Sequence, residues 1–379
     1  MKLTESQKYA FKELSKFCVN DEKEIILTGS PGYGKSFLIN ELSKEYDIVL
    51  TATTNKAAVV VGGVTIHSLL GLRVNSNDES GEVELDFRSI RVVRNMTVVI
   101  DECSMINREL YDVIRKYMID CKIIYVGDYY QLPPVNDSFS IFNLGIKMLE
   151  LKEPCRTDKF DIIRLCYLLK HAITEGKRFV GYEQSENIKF IRSEDELHEK
   201  LMKFDEQKDK ILTFTNDDVL LLNSKMRQYH GKSPLFTDGD LVVCKSVIKS
   251  FYSPKMEEIK KIKSIITRTN TVSRVKMTDG CIYDVYLDQA SYRRDVSSLY
   301  KEARETQSWK KYSAFRRSVL DIRDVYAGTV HSSQGSTYNN VYINIKNIYD
   351  YNRSDIDTLM RLMYVAVSRA KEKVYLFKG

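Results

Sequence analysis

The sequence predicts an α/β protein with parallel sheets and more than one domain. Along residues 1–150, short apolar runs alternate with helix-forming segments, as they do in parallel sheets that carry helices on both faces. With 379 residues, the chain is too long for one ordinary domain, and its length indicates two or three. The hydrophobic content of 43% is enough to fill several cores.

The first predicted domain, residues 1–150, begins with a helix and continues with alternating strands and helices. Thr4 and Gln7 form a capping-box pattern at the start of that helix. Short apolar runs predict strands that end on Thr28, Thr51, Asp101 and Gly127. Because the carboxyl ends of parallel strands meet at one edge of a sheet, we expect a ligand to bind along these ends.

Residues 72–91 interrupt this alternation. The turn-rich stretch 75–81 lies between Val74 and a run in which Val83, Leu85 and Phe87 occupy every second position. This pattern predicts a β-hairpin that protrudes from the first domain. Its tip is short and polar.

The second predicted domain is divided in sequence into residues 151–244 and 325–379, because residues 245–324 form an insertion. A strand is predicted at 211–215 in the domain itself. Further strand patterns cover 241–244, 272–277 and 281–287, and a polar, basic pattern typical of helix covers 296–320. Together they predict a small β-barrel with a helical arm.

The inserted segment carries the excess of positive charge. Residues 245–325 contain 18 Lys and Arg against 10 Asp and Glu, whereas the net charge of the whole chain is only +6. A locally basic segment fits a polyanion partner, although a solvated charged surface explains the same composition. Trp309, Tyr312 and Phe315 either stack on bases or, as their helical spacing favours, form the packing face of the arm.

Several classes of protein are excluded by composition. Seven scattered cysteines with no Cys-x-x-Cys pair argue against a disulfide framework and a zinc site, and they fit a reducing compartment. The amino terminus has no apolar run typical of a signal peptide. No stretch approaches the roughly 18 apolar residues of a membrane span. We therefore expect a soluble, cytoplasmic protein without a membrane partner.

Residues 29–36 form a phosphate-binding loop, because they match the pattern G-x-x-x-x-G-K-[ST] between a predicted strand and a predicted helix. Backbone N–H groups of such a loop approach the phosphates, and the helix N-terminus attracts their charge. Lys35 is expected to reach the β- and γ-phosphates, and Ser36 to ligate Mg²⁺. The predicted nucleotide-binding residues of the loop are Gly29, Ser30, Pro31, Gly32, Tyr33, Gly34, Lys35 and Ser36.

Two carboxylates follow the apolar strand 98–100. Asp101 is expected at the metal ion, and Glu102 is placed to orient and deprotonate the attacking water. The run G-D-x-x-Q-L-P-P at 127–134 follows another strand and places Gln131 where it senses a γ-phosphate. The sequence thus predicts hydrolysis of ATP or GTP.

The order of these motifs resembles that of superfamily 1 helicases, and more narrowly the RecD- and Dda-like members of the 1B branch. The resemblance implies two RecA-like domains, with the hairpin as a strand-separating pin in the first and an SH3-like barrel in the second. It also implies ATP and Mg²⁺ as cofactors. The other segments that carry it are 51–58 (TATTNKAA), 65–69 (TIHSL), 151–156 (LKEPCR), 214–216 (FTN), 326–337 (YAGTVHSSQGST) and 364–370 (YVAVSRA).

The resemblance further implies roles for individual residues. Gln7 would read the adenine, and Gly335 would belong to the motif that links DNA to the nucleotide. Arg156 and Arg369 would contact the γ-phosphate, and an arginine finger of this kind typically contributes about 10³–10⁵ in rate. The residues implied to contact single-stranded DNA are Thr53, Asn55, His67, Pro133, Phe214, Thr215, Asn216, His331 and Ser332.

We therefore predict a monomeric, ATP-dependent DNA helicase that moves on single-stranded DNA and opens forked duplexes. The resemblance alone implies the 5′-to-3′ direction. Two alternatives stay open: a translocase that displaces proteins or remodels forks with weak unwinding, and a non-motor P-loop enzyme such as a nucleotide kinase. The compact size and the resemblance suggest a phage origin, and hence the host cytoplasm. Replication, recombination and repair of DNA are all compatible with these residues.

Overall fold

In a computed structural model the chain has the predicted α/β architecture with parallel sheets. The structure describes residues 3–76, 83–86, 89–134, 137, 139–155, 159–246, 248, 254, 257–269 and 271–378, with the backbone alone at 73–76 and 83–86. No helix within these residues has the length and apolar character needed to cross a membrane. The α-helices are α1 (Glu5–Val19), α2 (Lys35–Glu45), α3 (Asn55–Val61), α4 (Ile66–Leu70), α5 (Arg108–Tyr117), α6 (Phe160–Glu175), α7 (Glu194–Leu201), α8 (Asn216–Tyr229), α9 (Gln289–Thr306), α10 (Lys310–Ser318), α11 (Ile345–Asn352) and α12 (Ile356–Val367).

The strands are short, and most of them coincide with apolar runs of the sequence. They are β1 (Glu24–Thr28), β2 (Ile48–Ala52), β3 (Val64–Thr65), β4 (Arg73–Ser76), β5 (Val83–Asp86), β6 (Val93–Arg94), β7 (Thr97–Asp101), β8 (Met118–Ile119), β9 (Lys122–Gly127), β10 (Met148–Glu150), β11 (Ile188–Phe190), β12 (Lys210–Thr213), β13 (Leu241–Cys244), β14 (Ile259–Thr267), β15 (Val272–Met277), β16 (Ile282–Tyr286), β17 (Val319–Leu320), β18 (Ile322–Asp324), β19 (Ala327–Thr329), β20 (Tyr338–Asn344) and β21 (Ala370–Phe377).

The first sheet is parallel and has the strand order β10-β1-β9-β7-β2-β3. The strands predicted before Thr28, Thr51, Asp101 and Gly127 are confirmed as β1, β2, β7 and β9. Thr28 lies beside Gly127, and Ala52 lies beside Asp101. The carboxyl ends of these strands therefore meet at one edge, as predicted, and this edge positions the candidate site.

Apolar cores cover both faces of this sheet. On β1, Ile25 and Leu27 belong to one core, whereas Ile26 between them belongs to another. Helices α1 and α2 contribute to the first core, and α4 and α5 contribute to the second. Because alternate side chains of a strand point to opposite faces, the continuous apolar run of β1 is what a sheet buried on both faces requires.

The predicted hairpin is confirmed in its two strands. β4 and β5 pair in antiparallel register, with Arg73 beside Asp86 and Ser76 beside Val83. Each strand has only four residues. The predicted polar tip, residues 77–82, lies outside the described residues, and so does Phe87.

The chain divides into two compact units. Unit 1 comprises Met1–Phe190 and Val330–Leu376, and unit 2 comprises Ile191–Thr329 and Phe377–Gly379. In unit 1, β11 pairs in parallel with β21. In unit 2, β12 pairs in parallel with β19. These units differ from the predicted domains 1–150, 151–244 with 325–379, and 245–324, which stay a prediction.

Within unit 2, the inserted segment contributes to a six-stranded sheet with the order β17-β16-β15-β14-β13-β18. The strands from β13 to β16 pair in antiparallel fashion, and β13, β15 and β16 match the strand patterns of the sequence. Val242, Val275 and Val285 are fully buried in the core of this sheet. The SH3-like closure into a barrel stays a prediction.

The helical arm differs from the predicted segment 296–320 in two respects. It starts earlier, at Gln289, and it consists of two helices, because Gln307 adopts a left-handed φ of 54° between α9 and α10. The early start has a local cause: the carboxylate of Asp288 accepts hydrogen bonds from the N–H groups of Ala290 and Ser291 and so caps α9. Residues 319–320 form a strand and not the end of a helix.

The aromatic residues of the arm pack against the protein. The ring of Phe315 stacks on that of Tyr292, with 6.0 Å between the centroids. Tyr312 and Phe315 are partly buried against a core that includes Tyr286. The interpretation as a packing face is thus confirmed for these two residues, whereas Trp309, at the start of α10, is 44% exposed.

A buried ion pair joins α8 to the sheet of unit 2. Arg227 on α8 is 4% exposed and donates hydrogen bonds to Asp240 (2.8 Å) and Asp324 (2.9 Å). Asp240 immediately precedes β13, and Asp324 ends β18. Because loss of one partner would leave a buried charge uncompensated, this cluster fixes the position of α8 on the sheet.

Candidate nucleotide site

The predicted phosphate-binding loop lies between β1 and α2 in unit 1. Gly32 and Gly34 both have a φ of 82°, in the left-handed region that favours glycine. A Cβ atom on Gly34 would lie only 2.4 Å from Nε2 of Gln7. The motif therefore needs glycine at this position for both its backbone conformation and its close packing.

Lys35, the first residue of α2, turns its ammonium group back over the loop. Its Nζ donates hydrogen bonds to the carbonyl oxygens of Gly29 (2.5 Å) and Ser30 (3.2 Å). Phosphate oxygens carry more negative charge than carbonyl oxygens. We therefore expect a bound nucleotide to attract this ammonium group to its β- and γ-phosphates.

Asp101 ends β7 and is almost fully buried beside the loop. Burial, and after it the charge of Glu102, raises the pKa of Asp101 to about 7, whereas the Glu102 N–H group, Lys35 and Ser36 oppose this rise. A nearby cation would stabilise the ionised form of this buried carboxyl group. Ser36, which lowers the pKa of Asp101, and Asp101 itself fit Mg²⁺, which commonly takes one or two carboxylates together with phosphate oxygens.

Glu102 occupies a strained backbone position. Its φ of 53° lies in the left-handed region, which residues other than glycine adopt rarely. Its N–H group donates to Oδ1 of Asp101 (2.8 Å). The turn ends β7 and starts the 3₁₀ helix Cys103–Met105, so that both acidic residues line the same pocket. Strain of this kind is concentrated at functional sites.

One pocket of about 520 Å³ brings most of the predicted nucleotide residues together. This volume is in the range of small-molecule sites, about 300–1,000 Å³. Ser30 and Tyr33 line a second pocket that shares Pro31 and Gly32 with the first. The predicted residues that line the first pocket are Gln7, Pro31, Gly32, Gly34, Lys35, Ser36, Asp101, Glu102, Gln131, Gly335 and Arg369.

The side chain of Gln7 is fixed at this pocket by its own helix and by the loop. The predicted capping box is confirmed, because Oε1 of Gln7 accepts from the Thr4 N–H group (3.0 Å) and the Thr4 hydroxyl accepts from the Gln7 N–H group (3.3 Å). Nε2 of Gln7 donates to the carbonyl of Tyr33 (3.0 Å). Adenine recognition by Gln7 stays a proposal.

Gln131 contacts the segment predicted to link DNA to the nucleotide. Its Oε1 accepts a hydrogen bond from Nε2 of Gln334 (3.4 Å). Gly335 has a φ of 72°, and a Cβ atom on it would lie 3.6 Å from Oε1 of Glu102. Two consecutive residues of this segment therefore lie against the predicted phosphate sensor and the predicted base.

Arg369 is 2% exposed and nevertheless lines the pocket. Its guanidinium donates to the carbonyls of Val365 (3.1 Å) and Ser336 (3.3 Å) and to the hydroxyl of Ser368 (2.9 Å). In the described part of the chain, these bonds use three of its five N–H groups, which leaves two for phosphate oxygens. The second predicted finger, Arg156, lies outside the described residues.

The residues predicted to contact DNA are distributed over both units. Thr53 is tied to the acidic turn, since its N–H group donates to the carbonyl of Asp101 and its hydroxyl to the carbonyl of Glu102, both at 3.1 Å. Unit 1 contains Thr53, Asn55, His67, Pro133, His331 and Ser332, and unit 2 contains Phe214, Thr215 and Asn216.

Two of these residues are histidines with a shifted pKa. Burial lowers the pKa of His67 and of His331 below the usual value. Both imidazoles are therefore neutral at pH 7, and we expect them to contact a nucleic acid by hydrogen bonding or stacking. Thr215 has a structural role as well, because its hydroxyl accepts from the Asp218 N–H group (3.2 Å) and caps α8.

Sequence reasoning missed several residues around the pocket. Cys155 and Lys371 line it, and Phe37, Ala57 and Val60 supply apolar surface. A signal for Lys371 exists, because it lies only two residues after Arg369, at the start of β21. Cys155 lies in the segment 151–156, directly before the predicted finger, but a cysteine there does not by itself indicate a nucleotide pocket.

We expect Glu102→Gln to lower kcat for ATP hydrolysis at least about 10²-fold, because an amide does not accept the proton of the attacking water. Binding of ATP should persist, since the amide keeps the shape of the side chain. Phosphate release and equilibrium binding of a fluorescent ATP analogue measure the two effects. Glu109→Gln, on the exposed first turn of α5, is the matched control. Normal turnover in the Glu102 variant would exclude this residue as the base.

Two family models match the chain. An AAA domain matches residues 16–137, and a UvrD-like helicase C-terminal domain matches residues 324–377. The first match includes the phosphate-binding loop, Asp101, Glu102 and Gln131. The second match includes Gly335 and Arg369.

Individual relatives match the chain over different lengths. Protein R530 of Acanthamoeba polyphaga mimivirus is 24% identical over 98% of this chain and 98% of its own length. The ATP-dependent DNA helicase Pif1 of Campylobacter jejuni is 26% identical over 47% of this chain. The chain spans about half of that relative, with 48% of its length covered.

Solved structures share the fold. The Pif1 helicase from Bacteroides in complex with ADP-AlF3 and ssDNA superposes with a TM-score of 0.58 at 17% identity, over 99% of this chain and 92% of the other. The match includes the described residues of both units. This match confirms the predicted fold, and the two family models and the helicase relatives agree with the predicted resemblance to superfamily 1B helicases. The chain is thus similar to Pif1 helicases in both sequence and fold.

Proposed function

We propose that this chain is an ATP-dependent DNA helicase that moves 5′ to 3′ on single-stranded DNA. The observation that carries the proposal is the single pocket that Lys35, Glu102 and Arg369 line together. It is supported by relatives that are named ATP-dependent DNA helicases and by the Bacteroides Pif1 structure, which holds ADP-AlF3 and ssDNA.

Hydrolysis would proceed by positioning and charge stabilisation. Lys35 and Arg369 would neutralise the charge on the γ-phosphoryl group, and Glu102 would accept a proton from the attacking water. Ser36 and Asp101 would hold Mg²⁺, which neutralises charge on the phosphates when it is bound. Gln131, hydrogen-bonded to Gln334, would report the presence of the γ-phosphate.

The same pocket has two short connections to the predicted DNA-contacting residues, one along the chain and one through hydrogen bonds. His331 and Ser332 precede Gln334 and Gly335, which lie against Gln131 and Glu102. On the other side, Thr53 is hydrogen-bonded to the carbonyls of the acidic turn. A change at the γ-phosphate would therefore reach His331 and Ser332 within two or three positions of the chain and Thr53 through its hydrogen bonds, and such coupling drives conformational cycles.

A second candidate function is translocation that displaces proteins or remodels forks with weak unwinding. The four-residue strands β4 and β5 of the hairpin favour it, because a short pin has little surface to separate strands. A non-motor P-loop enzyme would have no use for Arg369 or for the segments predicted to contact DNA. We further propose that the protein acts as a monomer in the cytoplasm, the host cytoplasm if it is phage-encoded.

We expect single-stranded DNA to raise the rate of ATP hydrolysis many-fold, because DNA would order residues on both sides of the pocket. Phosphate release at saturating ATP, with and without an oligonucleotide, measures this stimulation at a stated salt concentration, since salt screens phosphate contacts. Turnover that is indifferent to DNA and RNA alike would contradict the motor function.

Strand separation on forked duplexes completes this test. The protein should open a duplex substrate that has a single-stranded 5′ tail. It should not open a substrate whose only single-stranded tail is at the 3′ end. Opening of the 3′-tailed substrate alone would reverse the proposed direction. Stimulation by DNA without opening of either substrate would favour the translocase.

A further inference from the structure

Helix α12 contacts the loop 128–131 through two side chains one turn apart. Nη1 of Arg361 donates hydrogen bonds to the backbone carbonyls of Tyr129 (2.7 Å) and Gln131 (3.1 Å). The hydroxyl of Tyr364 donates to Oδ2 of Asp128 (2.7 Å). Residues three positions apart lie on one face of a helix, so α12 presents both side chains to the same loop. All of these residues belong to unit 1.

This loop carries Gln131 outside any helix or strand. It closes through local bonds, since the Gln131 N–H group donates to the carbonyl of Asp128 (3.1 Å) and the Tyr130 N–H group donates to Oδ1 of Asp128 (3.0 Å). These bonds shape the turn, but they do not fix it against the rest of the unit. The hydrogen bonds from α12 attach the loop to a helix.

The guanidinium of Arg361 is itself held in place. Its Nε donates to Oδ2 of Asp357 (2.7 Å), one turn earlier on α12, and the side chain is only 14% exposed. Its central carbon lies 5.7 Å from the centre of the Tyr129 ring. The planar fork of an arginine can serve the carboxylate and the two carbonyls together, whereas a lysine ammonium cannot reproduce this geometry.

The same helix leads directly to the predicted arginine finger. α12 ends at Val367, and Arg369 follows two residues later, with its Nε bonded to the carbonyl of Val365 on the helix. Gln131 and Arg369 both line the pocket, whereas Arg361 is not among its described lining residues. One helix therefore sets the positions of two groups that would meet at the γ-phosphate.

We propose that Arg361 is a positioning residue for Gln131. It holds the backbone of the loop 128–131 on α12, so that the Gln131 side chain and the Arg369 guanidinium face the same phosphate. The inference rests on the proposed ATP hydrolysis at this pocket and requires nothing of DNA unwinding. Arg361 would act through the loop and not on the nucleotide itself.

The test is basal ATP hydrolysis by Arg361→Gln. We expect kcat to fall about tenfold, while KM for ATP changes less than about twofold, because the loss concerns alignment and not ground-state binding. Inhibition by ADP with aluminium fluoride should weaken by a similar factor, whereas inhibition by ADP alone should not. Arg361→Lys should lie between the wild type and the glutamine variant.

Two variants control for loss of charge and for loss of an ion pair. Asp357→Asn removes the carboxylate partner of Arg361 but leaves both carbonyl bonds possible, so kcat should stay within about twofold of the wild type. Arg108→Gln removes an arginine with a similar pair on α5, to Asp112 four residues later (3.2 Å), and should also keep kcat. Thermal unfolding of every variant reports whether the fold is intact.

A double-mutant cycle with Gln131→Ala decides whether Arg361 acts through this residue. If it does, adding Arg361→Gln to the Gln131→Ala protein should lower kcat little further. Fully additive losses, or an unchanged kcat in the folded Arg361→Gln protein, would overturn the inference while the proposed function stands. If the wild type and Arg108→Gln hydrolyse no ATP, the proposed function fails and the inference falls with it.

Discussion

Replacement of Lys35 by alanine is expected to abolish ATP hydrolysis, with a fall in kcat of more than about 10³-fold. Lys35 places its ammonium group over the phosphate-binding loop, where it bonds the carbonyls of Gly29 and Ser30. Alanine removes the positive charge that would stabilise the negative charge of the γ-phosphoryl group during its transfer. Among the described residues that line the pocket the other lysine is Lys371, which lies on β21 and not on the loop.

Lys44→Ala provides the matched control for this change. Lys44 lies on the same helix, pairs only with Glu41 in the described hydrogen bonds, and is 67% exposed at its side chain. The same substitution should therefore leave kcat close to that of the wild type. Phosphate release from both variants, with thermal unfolding to confirm the fold, measures the difference. Substantial turnover in Lys35→Ala would remove this lysine from the reaction.

Arg369→Ala is expected to lower kcat about 10³-fold while nucleotide affinity changes far less. The guanidinium is held by Val365, Ser336 and Ser368 on one side and faces the pocket on the other. Such a group acts mainly where charge builds up on the transferring phosphoryl group. Binding of ADP should hardly depend on it, because ADP has no γ-phosphate.

The burial of Arg369 requires a check on stability. Arg369→Lys keeps the charge and much of the volume, and it should retain more activity than the alanine variant if charge is what matters. Arg178→Ala removes an arginine of unit 1 that bonds Arg353 and Tyr349 outside the pocket, and it should keep wild-type kcat. A wild-type kcat in folded Arg369→Ala would exclude the arginine from the site. A loss of kcat and of unfolding temperature together, in both Arg369 variants, would indicate a structural role.

Local sequence patterns were sufficient for the first sheet and the loop beside it. Each feature there depends on residues only a few positions away in the sequence. These features are the apolar run of β1 between polar ends, the glycines of 29–36 and the start of α2. Their conformation follows from side-chain burial, from the left-handed φ of Gly32 and Gly34, and from a helix that begins at Lys35. The capping box of Thr4 and Gln7 is equally local and is confirmed.

Patterns failed where distant parts of the chain decide the structure. The early start of the arm at Gln289 is the exception, because its cause is local: Asp288 caps the helix. Nothing around Arg227 signals that two aspartates, 13 and 97 positions away, surround it in the core of unit 2. Arg361 is similar, since its partners lie 230 and 232 positions earlier.

The sequence by itself determined the chemistry of the site: a loop for phosphates, two carboxylates, a glutamine and an arginine, each within a short motif whose spacing is set by a strand end or a helix start. The tertiary structure alone decided how these groups meet. It placed Gly335 against Glu102 and Gln334 against Gln131, and it packed α12 against the loop 128–131. The reason is physical, because a motif encodes local backbone geometry, whereas the distance between two motifs is set by the packing of all the residues that separate them.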